Sequence, residues 1–223
     1  MKVFMSKSIW YISKYFSAKT ENSACVRYWF LTNEFGKLGY DVTVIASDSN
    51  TIFDVPTLTS SVVRDQKDNI VIYWLKTFKY TIPKSLKRII SWFHFEWVVF
   101  KLPKKELPKP EAVIVSSLSL LSIINGYLLR KKYKCKLIFE VRDIWPLTIV
   151  EEGGFSPNNP FVMLLAKLEC FAYKTADVIV GTMPNLGEHV NNILGYSKPT
   201  YCIPMGFDPN VLSLQQSADP TFI

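Results

Sequence analysis

The sequence has few of the residues that bind metals. Its two histidines, His94 and His189, stand apart from clustered cysteines or carboxylates, so no zinc site is predicted and we expect no metal cofactor. The four cysteines form no C-x-x-C pair and lie in apolar or helical surroundings. We interpret them as reduced packing residues of a cytoplasmic protein: Cys25, Cys135, Cys170 and Cys202.

Long uncharged runs are scarce, and no signal peptide is evident. The segment 1–8 carries lysines inside what would be the apolar part of a signal. The 18 residues from Ala112 to Leu129 carry no charge, which is at the lower limit of length for a transmembrane helix. Because this run contains several serines, Asn125 and Gly126, we predict a short buried strand followed by a helix instead.

Motifs of several large enzyme classes are absent. There is no G-x-G-x-x-G, which disfavours a dinucleotide-dependent dehydrogenase. There is also no G-x-x-x-x-G-K-[ST] phosphate loop and no G-x-S-x-G nucleophile motif. The function must therefore be sought in less compact patterns.

What is present is a globular, positively charged chain. Its 223 residues, 48% of them hydrophobic and 20% charged, are enough for one sizeable domain with a sizeable core. The formal net charge of +7 admits nucleic acid, anionic lipid or phosphorylated ligands as partners.

Strand and helix patterns alternate along the chain. Strands are predicted at 2–6, 41–46, 69–75, 112–115, 137–141, 177–180 and 200–203, with loops at 8–20 and 47–68. Helices are predicted at 21–38, 83–102, 119–132, 160–175 and 185–194. Strand–helix–strand units require parallel pairing. The sequence therefore predicts an α/β fold, a Rossmann-like parallel sheet of about seven strands with helices on both faces.

The most informative stretch is Phe139–Pro146, where a buried strand ends on Arg142 and Asp143. Charged residues at this point suit the ligand crevice of an open parallel sheet, which lies beyond the carboxyl ends of the strands. The alternative is that the two side chains only pair with each other or cap a loop.

Three segments together resemble a known enzyme family. Glu140–Pro146, Leu168–Val180 and Ile203–Asp208 occur in an order and spacing similar to the N-terminal half of family 4 glycosyltransferases of the GT-B architecture. The nearest look-alikes are bacterial enzymes that build O-antigen or capsular polysaccharide, such as aminosugar transferases. The resemblance implies transfer of a sugar from a nucleotide-diphosphate donor to a lipid-linked saccharide acceptor in cell-surface polysaccharide biosynthesis.

The resemblance also implies a domain organisation. Residues 1–203 would form the acceptor-binding domain, and 204–223 would begin the interdomain linker at Pro204, Met205 and Gly206. The family's donor signature, two Glu eight residues apart, occurs nowhere among the ten Glu, so the donor domain is expected to be absent. No Asp-x-Asp occurs, which disfavours the metal-dependent sugar transferases of the other common fold. The chain is then half an enzyme, inactive until a donor-binding domain or subunit joins it.

Candidate site residues lie after the predicted strands and at the first helix. The polar pairs at predicted strand ends are Ser6-Lys7, Ser47-Asp48, Ser116-Ser117 and Arg142-Asp143, together with Thr182. Asp143 and Arg142 are predicted to lie at the reacting hydroxyl. The resemblance places the acceptor near the start of the first helix, which predicts acceptor contacts from Arg27, Glu21 and Asn22. From the strand ends, Ser116 and Thr182 are added as predicted acceptor-binding residues.

One stretch concentrates the charge of the chain. Tyr73–Lys105 holds eight Lys or Arg, nine aromatics and one acid, Glu96. This composition favours the inner face of the cell membrane, while packing alone and nucleic-acid stacking are the alternatives. We expect the membrane surface and no nucleic acid as partner, with contacts from Lys76, Lys79, Lys84, Lys87, Arg88 and Trp92.

Two other functions stay open at this point. A GT-B epimerase of nucleotide sugars would also need a second domain, but it would not need the basic aromatic surface. A non-catalytic, membrane-docked binding subunit or a truncated relic would need no donor domain.

Overall fold

The computed structural model describes residues 7–18, 27–51, 53, 55–82, 85–151 and 154–206. Within them a single mixed sheet of eight strands has the order β3-β4-β2-β1-β5-β6-β7-β8. The strands are β1 Ser8–Ile12, β2 Asp41–Ser47, β3 Val62–Lys67, β4 Ile70–Leu75, β5 Ala112–Ser116, β6 Lys136–Val141, β7 Val178–Gly181 and β8 Thr200–Cys202. All pairings are parallel except that of β3 with β4.

Helices cover both faces of the sheet, so the predicted Rossmann-like α/β fold is confirmed. They are α1 Arg27–Lys37, α2 Leu86–Lys101, α3 Ser122–Tyr133, α4 Leu147–Glu151, α5 Pro160–Thr175 and α6 Leu186–Leu194, with one 3₁₀ turn at Ser117–Ser119. Helix α5 begins where the Asn159 side chain accepts a hydrogen bond from Phe161 N and Pro160 supplies the first helical residue.

Two hydrophobic clusters lie on opposite faces of the sheet. Alternate residues of β1 serve both, because successive side chains of a strand point to opposite faces. Trp10 packs with α2, α3, α5 and α6 on one face, while Tyr11 packs with α1 on the other. Strand β1 is therefore buried on both sides and lies in the middle of the sheet.

Two segments that were predicted as loops contain strands. The first strand that the structure describes is Ser8–Ile12, within the predicted loop 8–20, and the predicted strand at 2–6 lies outside the described residues. Strand β3 lies within the predicted irregular segment 47–68 and is antiparallel to β4. It is half exposed and polar because it is an edge strand, and charged residues there discourage pairing with other chains.

Smaller differences concern helices and cysteines. Helix α4 was not predicted, and the first residues of the predicted helices at 21–38 and 83–102 lie outside the described residues. The uncharged run 112–129 folds as β5, the 3₁₀ turn and most of α3, as predicted in outline. None of the described helices combines the length and apolar character needed to cross a membrane. Cys135 is buried, but Cys202 is exposed on β8 and is not a packing residue.

Candidate functional site

The strand order identifies the place where a ligand would bind. From β1 the chain moves to β2 and β4 on one side, then returns to add β5, β6, β7 and β8 on the other. The direction of strand addition reverses between β1 and β5, and this reversal is the topological switch point of the sheet. Open α/β sheets bind ligands at the switch point, beyond the carboxyl ends of the strands. The segments after β1, β5 and β6 therefore form the candidate site.

Ser117 fixes the backbone that follows β6. Its hydroxyl oxygen accepts hydrogen bonds from Arg142 N at 2.8 Å and Asp143 N at 3.3 Å. The Trp145 indole N–H donates to the Ser117 carbonyl at 2.9 Å, so both parts of this residue bind the loop after β6. Ser116, the predicted acceptor residue, is buried, and its hydroxyl has no hydrogen-bond partner among the described residues.

Arg142 and Asp143 lie at the carboxyl edge, where the strand pattern placed them, and both are half buried. The Arg142 guanidinium lies 4.8 Å from the centre of the Tyr28 ring, and its Nη2 donates to the Met205 sulfur at 3.4 Å. Burial raises the pKa of Tyr28 well above its ordinary value, while the Arg142 charge opposes that rise. Tyr28 is therefore neutral and presents a ring face to the cation.

Arg27 lies at the start of α1, and its side chain is engaged within the fold. It is buried, and its Nε pairs with Glu140 Oε1 at 3.0 Å, with side-chain exposures of 3% and 1%. Its Nη1 donates to the Pro204 carbonyl, and the Tyr11 hydroxyl donates to the other oxygen of Glu140. Burial, reinforced by Glu140, raises the pKa of Tyr11 well above its ordinary value. Arg27 therefore holds α1, β6 and the segment after β8 together, and its contact with an acceptor phosphate stays a prediction.

The other predicted acceptor and linker residues are more dispersed. Thr182 follows β7, and its carbonyl accepts a hydrogen bond from the Cys202 thiol at 3.7 Å. Pro204, Met205 and Gly206 are exposed after β8, with Gly206 in the left-handed region at φ 67°. Glu21 and Asn22 lie outside the described residues.

Sequence reasoning missed a lysine directly after β1. Lys14 is 1% exposed, and its ammonium donates to the Ser49 carbonyl at 2.7 Å. It lies 4.9 Å and 5.2 Å from the ring centres of Tyr15 and Tyr80. Burial, together with the nearby charge of Arg88, lowers the pKa of the Lys14 amine to about 7. The aromatic run before it would have revealed this position if it had been read as the first strand.

Tyr15 connects the switch point to helix α2. Its hydroxyl oxygen accepts hydrogen bonds from Trp92 Nε1 at 2.7 Å and Arg88 Nε at 3.2 Å, and it lies 3.1 Å from the Tyr80 hydroxyl. Trp92 is therefore a buried core residue, which corrects its predicted place on the membrane surface. Arg88 is half-buried and contacts both the Tyr15 hydroxyl and the Trp92 ring.

Two further sets of polar contacts involve the segments after β2 and helix α2. The Lys79 ammonium pairs with Asp48 Oδ2 at 2.9 Å after β2, and Thr77 N donates to Asp48 Oδ1 at 2.8 Å. On α2, Glu96 accepts hydrogen bonds from Ser122 and Asn125 of α3. Burial raises the pKa of the Glu96 carboxyl to about 7.

Other features lie away from this edge. Lys7 was predicted to follow the first strand but precedes β1, where its carbonyl accepts from Asp41 N at 3.0 Å. A cavity of about 520 Å³ between the start of β2 and the β3–β4 hairpin, lined by Gly36, Asp41 and Arg64, is also at the amino ends of the parallel strands. Within the described part of the chain, no three His, Cys, Asp or Glu residues group in a way that could hold a metal ion.

The fold is similar to one half of solved GT-B glycosyltransferases. Trehalose-6-phosphate synthase from E. coli, bound with UDP-2-fluoro glucose, matches 96% of this chain and 52% of its own, with TM-score 0.60 and 10% identity. The catalytic domain of starch synthase IV from Arabidopsis thaliana, bound to ADP and acarbose, matches 96% and 54%, with TM-score 0.59 and 11% identity. Sucrose-phosphate synthase from Thermosynechococcus elongatus matches 91% and 49%, with TM-score 0.55 and 12% identity.

The chain therefore spans about half the length of these three solved structures. No protein-family model matches the sequence, and no curated protein matches it. At these identities the similarity establishes the fold, and the chemistry must be argued from the residues at the carboxyl edge.

Proposed function

We propose that this chain is the acceptor-side domain of a glycosyltransferase, which moves a sugar from a nucleotide-diphosphate donor to a hydroxyl group of the acceptor. The observation that carries the proposal is the combination of a GT-B half-fold with charged residues at its switch point. The family 4 assignment rests on the motif resemblance, and so does a lipid-linked saccharide acceptor of a surface-polysaccharide pathway.

In this proposal Asp143 acts on the acceptor. Ser117 holds the backbone of Asp143 at the edge of the sheet, so a carboxylate there can accept a proton from an attacking hydroxyl. Arg142 keeps its guanidinium beside Tyr28 and can orient a phosphate or a sugar hydroxyl, since it cannot act as a base.

The donor requires a second domain in this proposal. The three solved structures described above are about twice as long as the chain, and the donor signature of the resembled family is absent from the sequence. We therefore place the interdomain linker after β8, at Pro204–Gly206, and assign the nucleotide sugar to a domain joined covalently or as a partner. No metal cofactor is included, because the sequence has no Asp-x-Asp motif.

The experiment uses the 223-residue chain joined to a GT-B donor domain that carries the Glu-x7-Glu signature. Asp143→Asn is expected to lower turnover by roughly 10²–10⁴-fold, as for loss of a proton acceptor, while the urea midpoint stays near wild type. Asp65→Asn, on the opposite edge strand, is the matched control and should retain full turnover. Loss of stability with wild-type turnover per folded molecule would make Asp143 structural and refute its role.

The same assay separates the epimerase alternative. An epimerase would convert the nucleotide sugar to its epimer without any acceptor, whereas a transferase releases nucleoside diphosphate only when the acceptor is present. A non-catalytic subunit would do neither.

A further inference from the structure

Helix α2 has an apolar face that nothing in the described structure covers. Ser91, Trp92, Phe95 and Val99 point into the core. The opposite side carries five large apolar residues that are 52–78% exposed: Leu86, Ile90, Phe93, Trp97 and Phe100. Their spacing of four, three, four and three residues places them in one line along the helix. We call this line the α2 stripe.

Neighbouring segments also carry exposed apolar residues. Phe78 and Ile82, just before the helix, are 40% and 64% exposed. On α3, which binds α2 through the Asn125 amide and the Glu96 carbonyl, Ile124 and Leu128 are also exposed. Five large apolar residues in line on one exposed helix face are unusual on a soluble monomer and mark an interaction site.

Cations border the stripe, and no exposed acid lies on it. Exposed lysines flank both ends of the helix at positions 76, 87, 101 and 105, the last of them followed by the exposed Glu106. The Lys79 ammonium pairs with Asp48, and the Lys104 ammonium donates to the Val99 carbonyl. The Lys101 ammonium lies 4.8 Å from the centre of the Trp97 ring, on the stripe itself. The single acid between Tyr73 and Lys105 is Glu96, whose carboxylate is turned inward to Ser122 and Asn125.

We propose that the α2 stripe lies in the headgroup region of an anionic lipid bilayer, with α2 parallel to the membrane plane. A helix with one apolar aromatic face and lysine borders is suited to this interface. A second copy of the same face is disfavoured, because an isologous contact would bring like charges together. Nucleic acid is disfavoured because Leu86 and Ile90 offer no ring for base stacking.

Docking on α2 brings the candidate site next to the bilayer. The inner face of the helix binds Tyr15 through Arg88 and Trp92, and Tyr15 follows β1 at the switch point. The N-terminal end of α2 is therefore at the carboxyl edge of the sheet. A lipid-linked acceptor would reach Asp143 from the membrane on that side. This last step rests on the proposed function, whereas membrane binding by α2 does not.

Trp97 gives a direct test. The sequence has six tryptophans, and Trp97 is 58% exposed while the other five are at most 7% exposed. With vesicles of equimolar phosphatidylglycerol and phosphatidylcholine, brominated acyl chains should quench the fluorescence of Trp97 selectively. In Trp97→Phe the quenching should vanish while vesicle flotation stays nearly unchanged, because phenylalanine is also apolar.

Flotation tests the stripe and its borders separately. Phe93→Ser/Trp97→Ser should lower the partition coefficient at least about tenfold, because two aromatic groups no longer leave water. Leu38→Ser/Tyr201→Ser, which changes exposed apolar residues far from α2, is the matched control and should bind as wild type. Lys87→Ser/Lys101→Ser/Lys105→Ser should lower binding by roughly fivefold per lysine, and Lys7→Ser/Lys37→Ser/Lys67→Ser by much less.

Several outcomes would overturn the proposal. These are flotation of the Phe93→Ser/Trp97→Ser variant at the wild-type level, unquenched Trp97 in bound protein, and equal binding to vesicles of phosphatidylcholine alone. A dimer in light scattering that disappears only in the stripe variant, without any vesicle binding, would identify a second copy as the occupant. Flotation needs no donor domain or turnover, so its result is independent of the transferase proposal.

Discussion

The buried Arg27–Glu140 ion pair should be the most sensitive charged contact in the structure. The two charged atoms are 3.0 Å apart and nearly inaccessible to water. At an effective dielectric constant of 20, the attraction over about 3 Å is roughly 5 kcal/mol, and it offsets the cost of burying both charges. Arg27→Met leaves the Glu140 carboxylate buried with Tyr11 as its remaining partner, so we expect a loss of about 3–5 kcal/mol of unfolding free energy.

Urea unfolding followed by tryptophan fluorescence measures this loss. With an m value of about 2–3 kcal/mol/M, the midpoint should fall by roughly 1–2 M. Lys37→Met is the matched control, because Lys37 pairs with Glu34 on the surface at 2.6 Å and should cost less than about 0.5 kcal/mol.

A double-mutant cycle isolates the pair. Glu140→Gln keeps an acceptor for the Tyr11 hydroxyl while removing the charge, so Arg27→Met/Glu140→Gln should lose clearly less than the sum of the single changes. A loss below about 1 kcal/mol for Arg27→Met, or additive single changes, would mean that the pair does not hold α1 to β6.

Two further predictions concern the helices that pack on the α2 side of the sheet. The pKa of the Glu96 carboxyl is raised to about 7, so its contribution to stability is full below about pH 4.5 and is lost as the pH rises through 7. Between pH 4.5 and 8 the unfolding free energy from urea titrations should fall by roughly 2–3 kcal/mol in the wild type, and Glu96→Gln should remove this decline. An unchanged pH profile in the variant would show that Glu96 is not the source of the decline. At Gly126 in α3, an added Cβ would lie 2.6 Å from Val115 Cγ2, so Gly126→Ala should destabilise by about 1–3 kcal/mol. Gly187→Ala in α6, where the nearest atom is 3.9 Å away, should be neutral or stabilise by up to about 1 kcal/mol, and equal effects at the two positions would contradict the packing argument.

The overall class of fold was predictable because strand and helix periods alternate along most of the chain. Helix α5 was predicted with the bounds that the structure has, since Asn159-Pro160 marks its start. Strand β1 was missed because Ser8–Ile12 is buried on both faces and therefore shows no alternation of polar and apolar residues. Strand β3 was missed for the opposite reason, because an exposed edge strand is polar enough to resemble a loop.

The candidate site was predictable in part. The exit of β6 is visible from the sequence, because two charges follow an apolar run. The partner of Arg27 was not visible, because Glu140 is 113 residues away and looks like one more acid at a strand end. The distinction between the two faces of α2 also needed the structure, which places Trp92 inside and Trp97 outside on the same helix.

The transferase proposal is tested most directly by sugar transfer from a panel of nucleotide sugars to a lipid-linked saccharide acceptor. The 223-residue chain is assayed alone, the donor domain is assayed alone, and the two are then assayed joined. We predict transfer only by the joined protein and only in the presence of acceptor, because bringing donor and acceptor together contributes roughly 7–11 kcal/mol toward the barrier. Robust turnover by the chain alone would contradict the division of labour between the two domains. Absence of transfer by a folded, joined protein across the whole panel would contradict the glycosyltransferase assignment itself.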